Sequence, residues 1–183
     1  MRPLSAAGVL ALVLTATACG EDADRIGQAC DDYCELVMRN CTGPVAQYTD
    51  LSNCMATCEA MPLGDPTSPA GDTVACRTFY AAVAEDDAAM ACTKAGPGGH
   101  GTCGSDCDSF CALAMTICEG QPGSFPDLAT CQSACAGFDA TEPYDASDVD
   151  GDTFACRLYH LTAASTEPAV HCSHIVAASP LCL

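Results

Sequence analysis

The chain has 183 residues, carrying 24 Asp+Glu against 6 Lys+Arg for a formal net charge of −18. A surplus of that size repels nucleic-acid phosphates and anionic lipid headgroups, which excludes partners recognised through basic patches. With 17 cysteines and no Trp, the composition is that of an exported disulfide scaffold.

The first predicted element is a leader. Arg2 precedes an apolar run from Leu4 to Leu14 that is too short to cross a bilayer, and small residues Thr15 to Ala18 lead to Cys19. That layout predicts a signal peptide over residues 1–18. Ala16-Thr17-Ala18 suits the ordinary signal peptidase, which would release the protein. The same residues, read as small-small-Cys, resemble a bacterial lipobox. The resemblance implies a cysteine-rich bacterial lipoprotein of unknown function, with Cys19 diacylglycerylated as the mature first residue. Cysteine parity agrees, since setting Cys19 aside leaves sixteen cysteines. Residues 19–29 then form the lipidated cysteine and a short polar tether. Gly20 in place of Asp favours the outer membrane or cell surface; a periplasmic or secreted protein is the alternative.

The remaining cysteines fall into two sets of eight. Cys30, Cys34, Cys41, Cys54, Cys58, Cys76, Cys92 and Cys103 are separated by 4, 7, 13, 4, 18, 16 and 11 residues. Cys107, Cys111, Cys118, Cys131, Cys135, Cys156, Cys172 and Cys182 are separated by 4, 7, 13, 4, 21, 16 and 10. The segment Gly71-Asp72-Thr73-Val74-Ala75-Cys76-Arg77 recurs as Gly151-Asp152-Thr153-Phe154-Ala155-Cys156-Arg157. This is a duplication, with module 1 over residues 30–103, module 2 over 107–182 and a seam at 104–106.

Within each copy the periodicity is helical. Cys30, Cys34, Val37 and Cys41 share one helix face, as do Leu51, Cys54 and Cys58. Asp50 or Ser52 caps the second helix, and Asp127 or Thr130 its counterpart. Asp72 and Asp152 are placed to cap third helices running over about 73–84 and 153–164, and short turns over 87–92 and 167–172 follow. No segment alternates like a strand. The expected fold is all-α, two tandem disulfide-stapled modules with a helical hairpin plus a third helix each.

Eight cysteines allow 105 pairings, so sequence alone leaves connectivity open. An antiparallel hairpin narrows it, because four residues forward on one helix face four residues back on the other. That geometry favours Cys30 with Cys58, Cys34 with Cys54, Cys107 with Cys135 and Cys111 with Cys131. In this layout alone, the twin C-x3-C pattern is similar to the helical-hairpin proteins of the mitochondrial intermembrane space. Cys41, Cys76, Cys92 and Cys103, with Cys118, Cys156, Cys172 and Cys182, supply further bonds of unassigned pairing. Thiolate metal binding is disfavoured, because C-x2-C pairs and a C-x-x-C-H haem motif are both missing from the sequence.

His160, His171 and His174 are the one set of candidate metal ligands, imidazole being a common transition-metal donor. Their counterparts in the first copy are Tyr80, Ala91 and Lys94, which argues for surface or capping histidines and for no metal. Asp145, Asp148, Asp150 and Asp152 resemble a calcium loop in composition, yet with Gly151 at the sixth position Ala146 and Arg157 fall where ligands belong. Arg77 and Arg157 are expected to pair with a nearby carboxylate or loop carbonyls. Asn40-Cys41-Thr42 fits a glycosylation sequon, discounted because Cys41 belongs to the framework. No catalytic signature is present and no cofactor is expected. The sequence therefore points to a non-catalytic envelope or surface protein. Its expected partners are a membrane, reached through the N-terminal lipid, and an unknown protein or small-molecule ligand. A metal-dependent protein using the three histidines and a soluble inhibitor-like factor stand as alternatives.

Overall fold

The computed structural model describes residues 18–183, with side chains from residue 22 onward. Residues 1–17 of the predicted leader and the Cys19 side chain lie outside the described residues. The fold is all-helical. Helices α1 (Ala18–Asn40), α2 (Leu51–Cys58), α3 (Val74–Val83) and α4 (Ala88–Ala95) make the first half. Helices α5 (Asp106–Ile117), α6 (Leu128–Cys135), α7 (Phe154–Ala164) and the single turn α8 (Pro168–His171) make the second. Among the described residues no strand forms; an isolated bridge pairs Asp139 with Thr153.

The hairpins form as the periodicity requires. Cys30, Cys34 and Val37 lie buried along α1 at steps of four and three residues, with Tyr33 buried beside them and Cys41 buried just past the helix end. The Asp50 side chain accepts from the Asn53 backbone N–H at 2.9 Å to start α2, and Asp127 accepts from Thr130 at 2.8 Å to start α6. Cys30 is bonded to Cys58 and Cys34 to Cys54, closing α1 against α2. Cys107–Cys135 and Cys111–Cys131 do the same for α5 and α6. The remaining bonds are Cys41–Cys92 and Cys76–Cys103, repeated as Cys118–Cys172 and Cys156–Cys182.

Two local expectations change. The polar stretch 19–29, expected as a tether, is the continuous first part of α1, so the first module projects a helical extension that the second lacks. Asp72 and Asp152 do not cap the third helices. Thr73 and Thr153 do, their hydroxyls accepting from Cys76 N at 3.2 Å and Cys156 N at 3.0 Å. The displaced carboxylates serve a buried cation instead.

That cation is Arg77, fully buried, or Arg157, 1% exposed. Arg77 Nη2 donates to Asp72 Oδ1 at 2.7 Å and to Pro97 O at 3.0 Å, Nε to Gly96 O at 3.1 Å and Nη1 to Thr73 O at 3.3 Å. Arg157 repeats the pattern with Asp152 Oδ1 at 2.7 Å, Thr153 O, Val176 O and Cys182 O. Arg157 also lies over the Phe138 ring, 4.2 Å from its centroid. The planar guanidinium fork thus ties the start of the third helix to the loop that closes each module.

The halves share one buried apolar cluster. Asn53 Nδ2 donates to Thr162 O at 2.7 Å, Thr57 Oγ1 to Ser165 Oγ at 3.1 Å, and Ala146 N to Ala46 O at 2.7 Å. At the seam, Gly104 has φ +99, and a Cβ there would run into Ser109 Oγ and Asp72.

The two arginine pairs differ in exposure, Asp72 being 28% exposed and Asp152 72%. Asp72→Asn is expected to lower the unfolding free energy by about 1.5–3 kcal/mol, since it weakens a charge-assisted bond to a buried group. Asp152→Asn is expected to cost less than about 1 kcal/mol, as solvent screens the exposed carboxylate. Denaturant unfolding of the oxidised proteins measures both; equal losses would contradict this assignment.

Candidate functional site

The chain end of the second module gathers three imidazoles. His160 projects from α7 and is 4% exposed. His171 ends α8, and His174 ends the 3-10 turn Cys172–His174 that follows. Two disulfides fix these supports. Cys118–Cys172 holds the residue between His171 and His174 against the end of α5, and Cys156–Cys182 anchors α7 one turn before His160.

The rings meet through their Nδ1 atoms. His160 Nδ1 is 2.9 Å from His171 Nδ1 and 3.4 Å from His174 Nδ1. The His160 and His171 rings are stacked with centroids 5.1 Å apart, and His174 stands edge-on to both. On its far side, His160 Nε2 is 3.3 Å from Val149 O. A carbonyl only accepts, so Nε2 carries the proton and the Nδ1 lone pair of His160 faces its neighbours. His171 Nε2 lies 3.8 Å from Glu167 Oε2.

Electrostatics disfavour the charged form of two of the three imidazoles. Burial, together with the neighbouring imidazoles of His174 and His171, pushes His160 down to about 4. The same causes lower His171, partly offset by the Glu167 carboxylate. A neutral His160 with its Nδ1 lone pair turned toward two further imidazoles offers a donor for a cation. The sulfurs of Cys156 and Cys182 also approach His160, but they are bonded to each other and offer no thiolate.

The same positions in the first copy are built differently. Lys94 Nζ sits 5.3 Å from the centroid of the Tyr80 ring, and Ala91 is buried beside it. A cation over an aromatic face thus stands where the second copy has three imidazoles.

The other sequence candidates are spread through the fold. Asp145 accepts from Ser147 N at 2.7 Å and Asp148 from Asp145 N at 2.8 Å, so these carboxylates close their own turns. Asp152 is committed to Arg157. Asn40 donates from Nδ2 to Ala81 O at 2.9 Å. Two features had no motif to reveal them. Val149, a loop residue, supplies its carbonyl to His160, and Glu167 faces His171 from one helical turn away. The spacing of Glu167 and His171, four residues apart across the short helix α8, was the available signal for the latter. Elsewhere, a groove between α1 and α3 is lined by Arg25, Ala29, Leu63, Val74 and Phe79, Phe79 being half-exposed.

The sequence model described as the BfoA family C-terminal domain matches the chain twice, over residues 18–108 and 105–178. The two matches meet at the seam between the modules. No curated protein and no solved structure matches the chain.

The lowered position of His160 has a consequence in the metal-free protein. In the unfolded chain this imidazole takes up a proton near its ordinary value of 6.5, but in the fold only near 4. The unfolded state therefore binds more protons between these values, and the contribution to stability is complete above about 6.5 and lost as pH falls toward 4. With chelator present, the wild-type melting temperature should fall more steeply across this window than that of His160→Gln. Parallel pH profiles would contradict the assignment.

Proposed function

We propose, from the premise that the chain belongs to the BfoA C-terminal-domain family and carries that domain twice, that it is a lipid-anchored envelope protein with a non-catalytic binding or structural role. The observation that carries this reading is the cysteine accounting. Eight bonds use every cysteine from Cys30 to Cys182, which leaves Cys19 over. Such a framework requires an oxidising, extracytoplasmic setting. A cysteine outside the framework, behind an apolar leader and two small residues, is the acceptor that bacterial lipoprotein processing needs.

The rest of the chain supports attachment through lipid. No helix among the described residues is long and apolar enough to cross a membrane. The net charge of −18 opposes adhesion to anionic headgroups. An acyl group at Cys19 would instead hold the protein through the N-terminal extension of α1, which at about 1.5 Å per residue sets the first disulfide roughly 16 Å from the anchor. The cross-linked modules then present their loops as rigid surfaces. Loops held by a covalent frame lose little entropy on engaging a protein or small-molecule ligand.

The full chain, produced in a bacterial host fed radiolabelled palmitate, should carry label and sediment with membranes. Cys19→Ala should be unlabelled and recovered in the soluble or secreted fraction. Wild-type protein without label, or label persisting in Cys19→Ala, would overturn the anchored reading in favour of a secreted factor.

A further inference from the structure

We propose that His160, His171 and His174 are the protein ligands of a site for a borderline divalent transition metal, Zn2+ being the representative ion. The first support is distance. Three Nδ1 ligands at tetrahedral corners with bonds of about 2.0–2.1 Å lie about 3.3 Å from one another. The observed separations from His160 Nδ1, 2.9 and 3.4 Å, bracket that edge. Donor atoms of all three residues fall within 4.8 Å of one another.

The second support is orientation. Val149 O fixes the proton of His160 on Nε2, so its Nδ1 lone pair is directed into the cluster. One in-plane lone pair then faces two other Nδ1 atoms, although it serves a single donor well. A cation at the centre satisfies three lone pairs at once. With Nδ1 of His171 on the metal, its Nε2–H is turned to the Glu167 carboxylate at 3.8 Å. Outer partners of this kind, a carbonyl for one imidazole and a carboxylate for another, orient metal-bound histidines and raise their basicity.

The third support is the duplication. Tyr80, Ala91 and Lys94 occupy the same places in the first module, which folds around the same four-bond framework without any imidazole there. The histidines of the second module are therefore not a requirement of the scaffold. They occupy a position that Cys118–Cys172 and Cys156–Cys182 hold rigid. Three protein ligands leave a fourth position for water or for a donor from a bound partner.

Calorimetric titration of the oxidised, chelator-stripped full chain with ZnCl2 tests the site, with excess Ca2+ and Mg2+ present to occupy surface carboxylates. One Zn2+ per chain is expected. His171→Ala and His174→Ala, both at half-buried positions, should each weaken binding by more than the roughly 10–100-fold typical of losing an outer partner. Glu167→Gln should weaken it by roughly tenfold, and His100→Ala, in the loop ending the first module, should leave it unchanged. Nitrogen NMR of the wild type should show Zn2+ moving the Nδ1 resonances of these three residues. Absence of a saturable one-to-one site, retention of binding in the His171→Ala/His174→Ala double variant, or a response confined to carboxylates would overturn the proposal.

Discussion

A module of roughly 75 residues encloses too little apolar surface to offset the entropy of ordering its chain by a comfortable margin. Here the deficit is met with sulfur. Cys30, Cys34, Cys54, Cys58, Cys76, Cys92 and Cys103 show no exposure, so the first core is in large part its own cross-links. In the loop-closure description, bonds spanning 20 to 54 residues contribute about 3–4 kcal/mol each. The longest-range pair in each module, Cys41–Cys92 or Cys118–Cys172, joins the first helix to the last turn and closes the unit.

A covalent frame loosens the demand on side-chain packing, and the two copies have diverged accordingly. The first centres on Tyr33, whose hydroxyl meets that of Tyr48 at 2.9 Å and donates to Ala95 O at 2.6 Å. The second puts Phe110 there, among Phe125, Phe138 and Phe154. What has not diverged is the buried arginine with its aspartate, which makes the loop after the fourth helix part of the core. The imidazole cluster stands just ahead of the second of these loops, on a support that stays rigid whatever residues decorate it.

Much of this was legible because cysteine spacing records helix geometry directly. Equal steps of four on facing helices imply the hairpin pairs, and repetition of the whole pattern implies the duplication. The missed details share one cause, a local signal with two competing partners. Asp72 and Asp152 carry a capping residue's chemistry, but a buried guanidinium five residues on takes the carboxylate and Thr73 or Thr153 takes the cap. Residues 19–29 look like a polar tether, yet nothing breaks the helical run before Asn40, and α1 continues through them. The contact between modules was unreadable for another reason. Asn53 and Thr57 bond across it, while their counterparts Thr130 and Ala134 in the second copy do not share that role, so duplication gave no hint. The histidines were visible, but their convergence depends on the Cys118–Cys172 bond, whose pairing spacing alone left open.

Cross-links, more than apolar burial, hold the helices in place. Full reduction of the protein at neutral pH without denaturant, followed by far-ultraviolet circular dichroism and a thermal scan, tests this directly. The helical signal should collapse and the cooperative melting transition disappear, both returning on reoxidation. A reduced chain that keeps its helicity and melts cooperatively would contradict the account.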